Sequence, residues 1–188
     1  MNVRINVITI FTGIIFLFIA CEQPIPKPNA MLRLTYPDAV YEESQLNCPY
    51  IFKKNKNAIL KQPQPCQLQI EYPFMKATLH LTYRQVNNNI DSLLTDAQKL
   101  TFEHVIKADD ISEQPYLNSY NSVYGMLYEV GGDAASQSQF YVTDSTRHFL
   151  TGALYFYAKP NYDSILPAVS YIKKDIKVFI ESLQWNKP

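Results

Sequence analysis

The sequence predicts an α+β domain: an antiparallel sheet with helices packed on it, as an α/β/α sandwich. Three observations carry that expectation. Apolar and polar residues alternate with period two over 77–84 and again in three segments between 122 and 157. Two stretches, 90–107 and a closing one from Asp163, switch to helical spacing. The last strand candidate is apolar on both faces, so it needs cover from both sides.

The amino terminus reads as a targeting segment, residues 1–20. Met1 to Asn6 carries Arg4, and Val7 to Ala20 (VITIFTGIIFLFIA) is almost wholly apolar. About 14 residues suits a signal-peptide core and is short for a ~30 Å hydrocarbon layer. Phe18-Ile19-Ala20-Cys21 fits a relaxed lipobox, with Phe18 where Leu is usual. Cys21 is therefore the expected lipidation site, and its competitor is an uncleaved anchor with an incidental cysteine. Two acyl chains anchor stably where one does not. Pro24, Pro26 and Pro28 favour a polyproline II tether over 21–30. At ~3.1 Å per residue it holds the globular domain, 31–188, roughly 30 Å off the bilayer.

With Cys21 outside the fold, Cys48 and Cys66 remain as an even pair in an oxidising compartment, and a Cys48–Cys66 disulfide is expected. Neither a CxxC spacing nor a nearby histidine supports a redox pair or a metal site there. A loop of that size contributes on the order of 3 kcal/mol in the chain-entropy model.

Within the domain, Leu32–Tyr36 alternates and stops at Pro37, as a first strand. Pro49–Phe52 and Gln67–Tyr72 are short strands flanking the cysteines. Over 77–84, Ala77, Leu79, Leu81 and Tyr83 face one way and Thr78, His80, Thr82 and Arg84 the other. Asn87–Asn89 caps a helix over about 90–107, with His104 near its apolar stripe. A polar stretch holding Pro115 follows. Ser122–Val130, Gln137–Thr143 and His148–Tyr157 are then three strands of a meander, separated by Gly131-Gly132-Asp133 and Asp144–Arg147. Asp163 or Ser164 caps the closing helix, whose buried stripe runs Ile165, Val169, Ile172, Ile176, Phe179 and Leu183, with Trp185 folding back. This order of elements is similar to PsbP-like domains.

With 17 basic and 17 acidic side chains the net charge is zero, which argues against nucleic acid. Fourteen tyrosines against one tryptophan suit sheet surfaces and protein contacts. His80, His104 and His148 lack the local spacings of metal sites, and no phosphate loop or dinucleotide fingerprint occurs, so neither metal nor cofactor is expected. The run AspSerThrArgHis, 144–148, holds the side chains of a triad but not the GxSxG elbow, and a hairpin turn explains Asp144 and Ser145. Asp-Ser recurs at Asp91-Ser92, Asp144-Ser145 and Asp163-Ser164, where capping is the default reading.

Several stretches resemble the gliding-motility lipoprotein GldD family of the Bacteroidota. The most specific is QFYVTDSTRHFLTGALYF, inside VYGMLYEVGGDAASQSQFYVTDSTRHFLTGALYFYAKPNYDSILP at 123–167. Cys21, Cys48-Pro49-Tyr50 with Cys66, HLTYRQVNNNIDSLLTDAQKL, IKADDI and the final IESLQW agree as well. The resemblance implies a cell-envelope lipoprotein needed for gliding and tied to type IX secretion. It would act with other envelope proteins of those systems, held to the membrane by its lipid, and not as an enzyme. It also makes Ser145, Ser92 and Ser164 candidate O-glycosylation sites, Ser145 foremost. Arg147 and His148 are the candidate partner contacts. The alternative is a periplasmic enzyme or small-ligand-binding lipoprotein using the same AspSerThrArgHis region.

Overall fold

The main sheet and the two helices among the described residues are built around one strand that is apolar on both sides. In a computed structural model, residues 34–102, 108–157 and 162–186 are described, all within the compact unit Met31–Pro188. Cys21, the targeting segment, the tether and His104 lie outside the described residues. The elements are β1 (Tyr41–Glu43), β2 (Tyr50–Ile51), β3 (Lys53–Asn55), β4 (Ile59–Gln64), β5 (Gln67–Tyr72) and β6 (Ala77–Gln85). Helix α1 (Ile90–Phe102) leads to β7 (Asp110–Asn118), β8 (Val123–Gly131), β9 (Ser136–Thr143) and β10 (His148–Phe156). Helix α2 (Tyr162–Ser182) and β11 (Gln184–Trp185) close the chain.

A seven-stranded sheet runs β4-β5-β6-β10-β9-β8-β7, with every pairing antiparallel. It is two meanders joined where β10 returns beside β6, the crossover between them being α1. β10 is central and its residues alternate between two cores. Leu150 and Leu154 join Leu79, Leu81, Ile172, Ile176 and Phe179 on the α2 side. Phe149 packs with Val86 and Leu93 on the α1 side. Each fully buried Phe or Ile of this kind contributes about 1.5–3 kcal/mol. Gly152 sits under the Phe140 ring, which a Cβ there would overlap. That clearance lets Phe140 reach Phe179 at a centroid distance of 5.5 Å.

The segment before the sheet is docked onto α2 through a buried carboxylate. Asp175, 5% exposed, accepts from the Tyr41 hydroxyl at 2.7 Å and the Asn55 amide at 2.9 Å. The Tyr72 hydroxyl also bonds it; burial first, then the Asp175 charge, holds that phenol far above its ordinary pKa. Tyr171, one turn away on α2, accepts from Asn55 at 2.8 Å and donates to the Pro37 carbonyl at 2.9 Å.

The structure departs from the sequence expectations in instructive places. Leu34–Tyr36 is not a strand; Tyr36 packs its ring on Tyr171 at 5.4 Å, and pairing begins at Tyr41. Pro49–Phe52 is interrupted at Phe52, whose N–H and carbonyl bond Ser44 while the ring enters the core. β4 and β7 are strands that alternation did not reveal. Both are mostly exposed edges, and each contains a proline, Pro63 and Pro115, which edge strands tolerate. The closing helix starts at Tyr162, so Asp163 and Ser164 lie in its first turn. The Tyr162 N–H donates to Asp133 from the β8–β9 turn at 3.0 Å, a tertiary partner at the start of the helix.

Removing the Asp175 acceptor strands donors from three strands, two of them, Asn55 and Tyr72, buried. Asp175→Ala is therefore expected to lower unfolding free energy by about 3 kcal/mol. Lys173→Ala, which breaks the partly exposed Lys173–Glu129 pair, should cost under about 1 kcal/mol. Urea unfolding followed by circular dichroism checks the contrast, and equal losses would reject the carboxylate as the organising group.

Candidate functional site

The AspSerThrArgHis run forms the β9–β10 turn, and one carboxylate builds it. Asp144 Oδ1 accepts from the backbone N–H groups of Thr146 (3.0 Å), Arg147 (2.7 Å) and His148 (2.8 Å). Thr146 Oγ1 donates to Oδ2 at 3.2 Å. Burial works against the Asp144 charge, but the N–H bonds from Arg147, His148 and Thr146 outweigh it and hold its pKa below the ordinary carboxylate value. Ser145 takes the left-handed position, φ 67°, with its N–H on Thr143 Oγ1 at 2.9 Å. Ser145, Thr146 and Arg147 face outward.

His148 points the other way. It is only 8% exposed, and its Nδ1 lies 2.8 Å from the Tyr83 hydroxyl. Trp185 stacks on the imidazole at 5.0 Å and 11°. Nε2 is buried without a hydrogen-bond partner. In a triad the Asp144 carboxylate would orient the imidazole; here its oxygens serve the turn and the imidazole bonds Tyr83. Of the two residues expected to contact a partner, Arg147 is at the surface and His148 holds the turn down from beneath.

Trp185 joins this turn to its neighbour. Its indole N–H donates to the Ser122 carbonyl in the β7–β8 turn at 3.0 Å. The indole meets the Tyr50 ring edge-on at 6.3 Å. β11 pairs with β2, and the Asn186 amide donates to the Cys48 carbonyl at 2.7 Å. Cys48 and Cys66 are disulfide-bonded, with Cα atoms 5.4 Å apart and a sequence separation of 18. The bridge thus fixes the β4–β5 turn beside the other two. Of the five non-glycine residues with positive φ among those described, Cys66, Asn88, Ser122 and Ser145 lie at this end of the sheet. Such conformations cost of order 1–3 kcal/mol each and persist where surroundings over-determine them. At the rim, Tyr120 is 97% exposed and Leu117 is exposed too.

Of the other candidates, Ser92 is exposed in the first turn of α1 and Ser164 in that of α2. No group of three His, Cys, Asp or Glu side chains among the described residues is placed to hold a metal. Sequence reasoning selected the β9–β10 turn but missed Tyr120, Leu117 and the Trp185 clamp. The signal for the first two was available: an apolar residue and an aromatic flanking Asn118-Ser119, in a stretch read only as polar.

Burial pushes the His148 pKa below its ordinary value of 6.5, although Asp144 pulls it up. The imidazolium would carry an N–H on Nε2 with nothing to receive it. The unfolded imidazole takes up the proton more readily, so this contribution to stability is complete above about pH 6.5 and is lost as pH falls through the lower folded value. Trp185 is the sole tryptophan and reports the event. Its emission should change with a midpoint below pH 6.5 in the wild type and stay flat over that range in His148→Gln.

A comparison with curated proteins finds no match. Over residues 21–185 the sequence matches the model of a family described as gliding motility lipoprotein GldD. That span takes in the disulfide, both turns and Trp185, and the chain belongs to the gliding motility lipoprotein GldD family.

Proposed function

We propose that the protein is an envelope lipoprotein, anchored outside the inner membrane through Cys21, that serves gliding motility by contacting other envelope proteins, including those linked to type IX secretion. The observation that carries this reading is the clamped pair of turns holding Tyr120, Leu117 and Arg147 outward. Tyrosine and arginine are favoured as contact anchors: the phenol buries much area with only two torsions to fix, and the guanidinium presents a planar fork of donors. A rigid platform lowers the entropy lost on binding. The alternative, a periplasmic enzyme or ligand binder at the same run, is disfavoured because Asp144 and His148 are both engaged in holding the turn.

Tyr120→Ser with Arg147→Glu should abolish colony spreading at unchanged protein abundance, and should reduce partners recovered by crosslinking at least about tenfold, the factor for one lost hot spot. Normal spreading by the double variant would reject the platform. The same outward turn makes Ser145 the foremost candidate for O-glycosylation, ahead of Ser92 and Ser164. Intact mass of the purified protein should then fall by a glycan's mass in Ser145→Ala, and a shift equal to one oxygen atom would remove the assignment.

A further inference from the structure

The sheet's opposite end carries a second set of exposed aromatics, built differently. β5 passes to β6 through a single 3-10 turn, Pro73–Met75. Pro73 fixes its start, and Lys76 closes it at φ 49° with its N–H on the Pro73 carbonyl. This stiff turn holds Phe74 in solvent at 90% exposure. Tyr157 stands beside it: its N–H donates to the Lys76 carbonyl at 2.7 Å, and the residue is 66% exposed. Lys76 is exposed as well. A phenylalanine rigidly presented to water adds nothing to folding.

The path of the chain says what covers it. Pro37 lines the same small cavity as Tyr72, Pro73, Phe74 and Met75, and Tyr171 fixes its carbonyl there. The amino-terminal segment therefore runs beside the Phe74 turn. Cys21 precedes Leu34 by 13 residues, a length that spans at most about 45 Å. The described residues before Tyr41 bond Asn57, Lys56 and Tyr171, on the Phe74 side of the domain.

We propose that the Phe74–Tyr157 end of the sheet is a membrane-facing surface that rests on the bilayer to which the chain is anchored. Phe74 and Met75 enter the boundary of the acyl chains. Tyr157 lies at headgroup level with its hydroxyl in water, and Lys76 meets anionic headgroups, while the exposed Asp109, Asp110 and Asp133 at the β7–β8 side of the same end confine the contact to this corner. The contact sets orientation and adds little to anchoring: with this end on the lipid, the Tyr120 and Arg147 turns point away from it. The inference rests on the reading that Cys21 is lipidated.

The test uses full-length lipidated protein in phosphatidylethanolamine–phosphatidylglycerol vesicles with and without brominated acyl chains. Flotation first establishes that the protein is bound, so failure of anchoring is seen separately and before any quenching is read. Phe74→Trp should then be quenched by brominated lipid at least twofold more than wild type, whose Trp185 lies at the far end, or than Tyr120→Trp. Equal quenching at positions 74 and 120, or none at 74 in floated protein, overturns the proposal. So does a position 74 that stays water-exposed on vesicles yet crosslinks to a protein in native membranes.

Discussion

A carboxylate taken out of water costs several kcal/mol unless donors converge on it, and the burial of Asp175 makes that convergence a condition of the fold. The donors come from three separate segments: Tyr41 in β1, Asn55 in β3 and Tyr72 in β5. The β1–β3 ribbon has two strands of three residues, too little to be stable in isolation. Its position is set by what it donates to α2. Once it is set, Tyr50 and Phe52 fall into the core, with Phe52 against Phe179 at 4.5 Å.

That placement reaches the candidate site through a short chain of contacts. Positioning Tyr50 positions β2, β2 pairs with β11, and β11 delivers Trp185 to both Ser122 and His148. Two turns with left-handed serines are thus held by a residue near the carboxy terminus, which is itself held by a strand near the amino terminus. The disulfide adds a covalent stop to the same assembly. Strain in Ser122 and Ser145 is tolerated because the indole and the Asp144 carboxylate fix both turns from outside their own backbones.

What could be read from the sequence follows from which interactions are local. The β6, β8, β9 and β10 strands and most of both helices were legible, because half-burial writes a period into consecutive residues. β10 gave more: its apolar residues alternate on both faces, and Phe149 and Leu150 occupy separate cores. The edge strands were not legible, since a strand bounded on one side by water needs no alternation and can accept proline. The Asp133 bond to the start of α2 was not legible either, because the two residues are 29 apart in sequence. At the site, the turn chemistry of Asp144 was local and visible. The inward turn of His148 was not, since Trp185 and Tyr83 that receive it are 37 and 65 residues distant along the chain.

The same edges bear on how such a molecule meets others. A free sheet edge is the ordinary route for adding a strand from a partner. Here one edge, β4, carries Pro63, an outward Lys61 paired with Glu71 at 2.8 Å, and a break in register between Lys61 and Gln64. The other, β7, carries Pro115 at its centre, opposite Met126. Proline removes a donor from the ladder, while a bulge and a charge spoil the flat template a further strand needs. Both flanks of the sheet are therefore poor surfaces for association, and both of its faces carry a helix. The ends remain, and the three most exposed aromatics among the described residues stand there: Tyr120 at one, Phe74 and Tyr157 at the other. A sheet blunted along its sides, with exposed aromatics at its ends, fits the two contacts proposed above, envelope protein at one end and bilayer at the other, with the β-strands as the rigid distance between them.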